Sequence, residues 1–273
     1  MKKRSIQVIC TIFLILFSCY ALFPFLWVIT SSLKSSMEIF TGVLIPSKWR
    51  WDNFSGAWEQ ANISRVIVNS LIVTIFSVGI GLTIDVLAGY SFAKLAIKKH
   101  SWIFYIFLMA LAIPLEANVF SIYLQVKQLG LGNTLGGLVI ALIGTGSAFG
   151  TYLMRNFFRD ISDTFRESAK IDGASELKIF FNIYLPLAAP AIGALTIFKA
   201  LQSWNEYNIS LFILTDQKKW TIPLAVATFK SFEYSNYSYI FAASVISFLP
   251  TVILYILFSK SFIEGIAVGG EKG

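Results

Sequence analysis

From Arg166 to Pro190 the chain reads RESAKIDGASELKIFFNIYLPLAAP, a charged, helix-forming stretch with one glycine, set between two long apolar runs. Leading into it, apolar residues fall at Phe158, Ile161, Phe165 and Ala169, a spacing of three, four and four that lines one helix face. Arg159, Asp160, Asp163, Arg166, Glu167 and Lys170 take the other face. Asp172-Gly173 then punctuates the helix, because glycine tolerates the left-handed turn that ends one. Ser175 is placed to cap a second helix, and Glu176 suits the positive dipole end behind it. No Glu or Gln stands three residues after Ser175, so a full capping box is absent. Such a polar helix–turn–helix either lies on the membrane interface or docks a protein. Interfacial helices favour Lys and Arg, whereas this face carries both signs almost equally, which favours docking.

The flanking runs set the class. Of 273 residues, 56% are hydrophobic and only 14% charged, with a mean hydropathy of +0.70. Soluble domains carry about a quarter charged residues, so the polar surface here is too scarce to cover a water-facing globule. A bilayer core needs about 20 mostly apolar residues per helix. Six stretches qualify: residues 6–30, 66–92, 102–124, 135–154, 182–206 and 239–259. The expected fold is an all-α integral membrane protein with six transmembrane helices, one domain over residues 1–273, and a helix–turn–helix over about 158–181 between spans four and five. The first run follows Met1-Lys2-Lys3-Arg4, as a signal peptide would, but it stays apolar through Trp27 and reads as an uncleaved span.

Lys and Arg set the orientation. One side collects Lys2, Lys3, Arg4, Lys94, Lys98, Lys99, Arg155, Arg159, Arg166, Lys170, Lys178, Lys260 and Lys272, thirteen in all; the other holds Lys34, Lys48, Arg50, Arg65, Lys127, Lys218, Lys219 and Lys230, eight. The excess places both termini and the polar segment in the cytoplasm. The net charge of +7 lies in the gaps between spans and is not gathered on one face, which argues against nucleic-acid binding. Cys10 and Cys19 sit nine residues apart on one helix, about 13 Å, too far for a disulfide. His100 is the sole histidine, so a zinc site or a Ser-His-Asp triad has little to build from. No catalytic, metal-binding or cofactor-binding residues are expected. The outer gap from Ser31 to Arg65 holds Trp49, Trp51 and Trp58, aromatics that belong at the interface or in a partner-facing cap.

Charges at membrane depth point to function. Lys199, Gln202 and Glu206 fall at i, i+3 and i+7 on the fifth span. With Trp204, Asn205 and Tyr207 beside them they line a translocation path, or else form an interhelical pair with Lys199 snorkelling outward. Glu116 follows Pro114 and is a further path candidate beside a kink. Asp85 reads as a structural or gate contact. Pro186 and Pro190 fit first-turn and kink roles.

Glu167-Ser168-Ala169, Gly173 four residues on, then Ile183 and Leu185-Pro186 resemble the EAA loop of ATP-binding-cassette (ABC) importer permeases. That pattern is Glu-Ala-Ala, three variable residues, Gly, nine variable residues, Ile, one variable residue, Leu-Pro, and this chain departs from it only at Ser168. Further pieces are similar to the carbohydrate-uptake permeases related to the smaller membrane subunit of the maltose transporter. They are Pro46 with Trp51-Asp52-Asn53-Phe54, Asn69-Ser70-Leu71, Leu129 to Thr134, Trp204 to Tyr207, and Phe262 to Gly265 with Gly269 to Gly273. The resemblance implies a permease subunit that moves a sugar or oligosaccharide inward across the cell membrane. It implies that Phe165, Glu167, Ser168, Ala169, Asp172 and Gly173 seat in a cytoplasmic ATPase dimer, with the tail Gly269, Gly270, Glu271 and Lys272 reaching toward it. A second, non-identical permease and an extracytoplasmic substrate-binding protein are implied as partners, beside membrane lipid. No G-x-x-x-x-G-K-[ST] phosphate loop occurs in the chain, so the ATP would be hydrolysed by a partner subunit.

Overall fold

A computed structural model describes residues 2–95, 101–229 and 236–270, and all regular structure among them is helical. The order begins α1 (Lys2–Ser31), α2 (Ser36–Phe40), α3 (Asp52–Gln60), α4 (Ile63–Lys94), α5 (Ser101–Met109), α6 (Leu115–Gln128), α7 (Leu135–Asp160) and α8 (Thr164–Ile171). It continues with α9 (Glu176–Ile179), a π-turn over Phe180–Tyr184, α10 (Leu185–Leu187), α11 (Ala189–Trp204), α12 (Asn208–Ile213), α13 (Ile222–Thr228) and α14 (Tyr237–Gly270).

Three stretches are long and apolar enough to cross a bilayer: Ile6–Ser31, Ile63–Lys94 and Leu135–Asp160. Two more pass only as broken pairs, Trp102–Ala112 with Leu115–Gln128, bent by 106°, and Glu176–Leu187 with Ala189–Trp204, bent by 73°. The described residues thus hold three to five candidate spans. The sixth expected span falls on α14, whose described apolar part is the shorter Tyr237–Ile253. The expected third span is therefore two helices. Pro114 lacks an N–H and stands at the head of α6, after a 3-10 turn over Ala110–Ala112. The second break has proline on both sides, since Pro186 and Pro190 each occupy the first turn of the helix that follows.

The described chain divides into two compact units, residues 1–64 with 225–250 and residues 65–224 with 251–273. In the first, Asn53 is buried and its side-chain amide donates to the carbonyls of Ser32 and Lys34, each at 2.9 Å, tying α3 to the chain that leaves α1. Glu38 clasps the loop after α2. Its carboxylate accepts from the backbone N–H of Ser35 at 2.9 Å and of Ser47 at 3.0 Å, and from both serine hydroxyls. Those hydrogen bonds stabilise the charged form and hold the carboxyl down at about 2. A depressed carboxylate stabilises the loop fully above its unfolded value of about 4.3 and loses that contribution as pH falls toward 2. Limited proteolysis at residues 41–47 should stay slow from pH 7 to 5 and rise below pH 4. Glu38→Gln should be cut faster at pH 7, with little further change on acidification.

The second unit carries two apolar clusters. One gathers Val73 of α4, Val119, Ile122 and Val126 of α6, Leu138 and Leu142 of α7, and Ile209 and Ile213 of α12. The other joins Val86 and Tyr90 of α4, Met154 and Phe158 of α7, Phe180 and Tyr184 of the π-turn, and Leu195 of α11. Small residues let the helices meet: a Cβ on Gly89 would lie 2.6 Å from the Met154 Cβ and 2.8 Å from the Arg155 nitrogen. The asparagines of the quoted motifs stitch the loop before α13. The Asn69 amide donates to the carbonyls of Lys218 (3.0 Å) and Trp220 (2.9 Å), and Asn133 Oδ1 accepts from the N–H groups of Thr215 (3.1 Å) and Asp216 (3.0 Å).

Candidate functional site

The polar hairpin forms as a short helix, a glycine turn and a second helix. Its entry departs from the continuous helix read across 158–169. The backbone is extended at Ile161 (φ −71°, ψ 133°), and α8 restarts at Thr164. Lys94 explains the break: its buried Nζ takes a hydrogen bond from the chain's own ladder, donating to the Ile161 carbonyl at 2.6 Å, and it pairs with the Asp163 carboxylate. Ser162 and Asp163 are residues whose side chains compete with helix hydrogen bonding. The apolar stripe is divided accordingly. Phe158 is buried and Ile161 and Ala169 pack against its cluster, whereas Phe165 stands 52% exposed.

The far end of α8 closes as the sequence predicts. Gly173 has φ +76°, its N–H donates to the Lys170 carbonyl at 3.0 Å, and the Ala174 N–H donates to the Ala169 carbonyl at 2.9 Å. These two bonds are the Schellman pair that satisfies a helix's last carbonyls. Ser175 caps α9, its hydroxyl accepting from the Lys178 N–H at 3.4 Å. Glu167, Ser168, Asp172 and Gly173 are exposed along with Phe165, and Ala169 is half-buried. A shallow groove beside α8 is lined by Ser162, Thr164, Phe165, Ser168, Ala169, Asp172 and Ile183. Ile171 is 86% and Leu177 70% exposed at the tip. Mixed charge and bare apolar side chains on a braced turn make a surface that another protein can grip.

The brace joins Arg166, Lys170 and Glu176, which the sequence places on the hairpin, to Tyr90, which carried no signal of its own. Glu176 accepts from Nε and Nη2 of Arg166, pairs with Lys170 Nζ at 2.8 Å, and accepts from the Tyr90 hydroxyl at 3.2 Å. The Tyr90 ring lies 5.6 Å from Phe158, 4.9 Å from Phe180 and 5.2 Å from Tyr184. One carboxylate thus ties both arms of the hairpin to an aromatic platform at the end of α4. Because the pairs are partly exposed, Glu176→Gln should cost only about 1 kcal/mol. Hydrogen exchange over residues 162–176 should then quicken about fivefold at neutral pH.

Deeper in the same unit, Lys199 of α11 and Asp85 of α4 form an ion pair at 2.6 Å, and both are buried. The Thr151 hydroxyl donates to Asp85 Oδ1 at 3.4 Å. A Cβ on Gly150 would meet Asp85 Oδ2 at 1.8 Å, and one on Gly81 would meet Lys199 Nζ at 3.2 Å. These glycines clear the space that the pair fills. Gly144, by contrast, has no neighbour of this kind. Above the pair, Ser77 and Ser203 share a hydrogen bond at 2.9 Å, and a cavity of about 20 Å³ is lined by Ser77, Leu142, Gly146, Lys199, Gln202 and Ser203. That is room for one water.

Of the path candidates, Lys199 and Gln202 share a face of α11, Lys199 buried and Gln202 exposed. The helix ends at Trp204, so Glu206 lies in the turn beyond it, where its carboxylate accepts from the Ile209 N–H at 2.6 Å. Trp204 is buried, the Asn205 amide returns to the Leu201 carbonyl at 2.8 Å, and Tyr207 packs on the first apolar cluster. Glu116 is exposed in the first turn of α6. A larger cavity of about 460 Å³ opens at the bend between α5 and α6, lined in part by Asn118, Gln125, Thr145 and Gln202. Gly269 and Gly270 end α14; Glu271 and Lys272 lie outside the described residues.

Residues 3–263 match the family described as binding-protein-dependent transport system inner membrane component. The chain is similar to a diacetylchitobiose uptake system permease protein, NgcG, of Streptomyces coelicolor, at 30% identity over 98% of this chain and 90% of that one. It is also similar to a melibiose/raffinose/stachyose import permease protein, MelC, of Bacillus subtilis, at 30% identity over 100% and 99%. A solved bacterial ABC transporter involved in import of the acidic polysaccharide alginate matches with a TM-score of 0.80 and 25% identity, over 96% of this chain and 98% of its own.

Proposed function

We propose, from the premise that this chain belongs to the binding-protein-dependent transport system inner membrane component family, that it is the membrane-spanning permease of an ABC importer for a sugar or oligosaccharide. The observation that carries this reading is the exposed hairpin of α8 and α9, braced by Glu176 and offering Phe165, Glu167, Ser168, Ala169, Asp172 and Gly173 to a partner. That partner is a cytoplasmic ATPase dimer. The whole chain acts as one transmembrane domain with six spans and both termini in the cytoplasm, in the multi-pass membrane of a prokaryote. The orientation rests on the thirteen-to-eight distribution of Lys and Arg. A second, non-identical permease completes the pathway, a substrate-binding protein delivers the solute from outside, and the tail from Gly269 to Lys272 reaches toward the ATPase.

Within the spans, Gln202 and Glu116 line the path because both are exposed, while Lys199 sets its wall through the pair with Asp85. The turn from Trp204 to Tyr207 shapes its outer end. ATP-driven closure of the ATPase dimer moves the hairpin, and the aromatic platform under Tyr90 passes that motion to α4, α7 and α11. The relatives named for diacetylchitobiose uptake and for melibiose, raffinose and stachyose import support a saccharide as cargo. The test is uptake by reconstituted complex supplied with its binding protein. ATP-dependent accumulation of an oligosaccharide is expected. Accumulation of amino acids but of no saccharide would overturn the sugar assignment.

A further inference from the structure

Near the end of α7, five residues before it stops, Arg155 lies with its guanidinium carbon 4.0 Å from the centre of the Phe104 ring. Its Nε is buried without a hydrogen-bond partner. Arg159 follows at i+4, so two like charges share one face of the helix. Among the described residues no carboxylate forms an ion pair with either arginine; Asp163 pairs with Lys94, and Glu176 with Arg166 and Lys170. Phe104 is itself buried, stacked at 6.5 Å on Tyr152 and 6.0 Å from Tyr105. On the same helix as Phe104, Trp102 and Tyr105 are each 60% exposed. In sequence, Lys98, Lys99 and His100 come just before α5.

Both arginines stand just past the fourth span, and the Arg155 Nε is buried with no acceptor among the described residues, so an anion at the membrane surface would supply what the fold does not. Exposed Trp and Tyr mark the headgroup level of a bilayer, which is where phosphates lie. We infer that Arg155 and Arg159, with Tyr105 beside Arg155 and Trp102 further back along α5, form a binding site for the headgroup of an anionic phospholipid. The Phe104 ring backs the Arg155 guanidinium, leaving its two terminal nitrogens as the donors for phosphate oxygens. Trp102 and Tyr105 lie against the glycerol and upper acyl chain. The inference rests on the chain being a membrane subunit, but it requires neither a sugar cargo nor a particular ATPase.

The test is native mass spectrometry of the purified importer complex after exchange into phosphatidylglycerol or phosphatidylcholine. The parent should retain phosphatidylglycerol about tenfold or more above phosphatidylcholine, since each basic residue near an anionic headgroup strengthens binding about fivefold. Arg155→Gln with Arg159→Gln should lower that ratio to near one. Lys218→Gln, on a loop remote in sequence, should leave it unchanged. Melting in phosphatidylcholine shows whether the double variant folds: an unchanged midpoint there, together with loss of the rise given by phosphatidylglycerol, is the expected pattern. Equal retention of both lipids by the parent, a double variant that keeps the preference, or displacement of the lipid by millimolar inorganic phosphate would each overturn the assignment. Sugar uptake is not a readout here, so failure of this site leaves the importer reading standing.

Discussion

Asp85→Leu should destabilise the permease by about 3–5 kcal/mol, because it strands the Lys199 ammonium in the membrane interior without its partner. Lys199 is 6% exposed and Asp85 0%, so bulk water does not reach the pair, and the single water that fits beside Lys199 carries no charge to replace the carboxylate. Removing both charges should reverse most of the damage, since two apolar groups of similar size leave no orphan. Asp85→Leu combined with Lys199→Met is therefore expected to melt within a few degrees of the parent, while each single change lowers the midpoint sharply. The double-mutant cycle reads the coupling directly. Two single effects that simply add in the double variant would show that the pair contributes nothing as a pair. Gly150→Val tests the same seat from the α7 side, since its Cβ would stand 1.8 Å from Asp85 Oδ2; it should resemble Asp85→Leu.

Glu167→Lys and Gly173→Pro should both abolish co-purification of the ATPase, by different physical routes. Glu167 is exposed on α8 and no described contact of the fold depends on it, so reversing its charge alters the docking face alone. Reversal of a charge inside a protein interface costs about 2–5 kcal/mol, or thirtyfold and upward in affinity. Gly173→Pro acts on the turn. Proline fixes φ near −65° where the chain has +76°, and it removes the N–H that donates to the Lys170 carbonyl. The Schellman closure is lost, and α9 no longer leaves α8 at the angle that the groove beside Ser168 and Ala169 requires. Both variants should insert in the membrane at parental levels. ATPase retained at parental stoichiometry by either variant would mean that the hairpin is not the docking element.

The hairpin was legible in the sequence because its determinants are local. A glycine in a left-handed turn and a serine cap act within a few residues of one another, and the turn, the cap and the helix on either side of them appear where those residues place them. What lay outside the sequence's reach is long-range. The stripe from Phe158 to Ala169 fits a single helix, and nothing in its spacing reveals that Lys94, 67 residues earlier, takes the Ile161 carbonyl and breaks it. Asp85 and Lys199 are far apart in the chain, so their pairing appears only once α4 and α11 pack. Pro114 and Pro186 mark where helices stop, but proline does not encode the bends of 106° and 73° that neighbours impose. Glu206 kept step with Lys199 on a helical wheel, yet α11 ends two residues before it. Several motif residues bear structural loads that a pattern cannot reveal, with Asn53, Asn69 and Asn133 each bridging backbone from distant segments.

The central claim is that this chain is powered by an ATPase held at the α8–α9 hairpin. It is tested most directly by loading vesicles with the permease pair, with and without the ATPase, and following uptake of an oligosaccharide presented by the binding protein. Uptake should require the ATPase and cytoplasmic-side ATP, be insensitive to an uncoupler, and be absent with Glu167→Lys. Uptake that proceeds without the ATPase and collapses with the uncoupler would contradict it and identify an ion-coupled carrier.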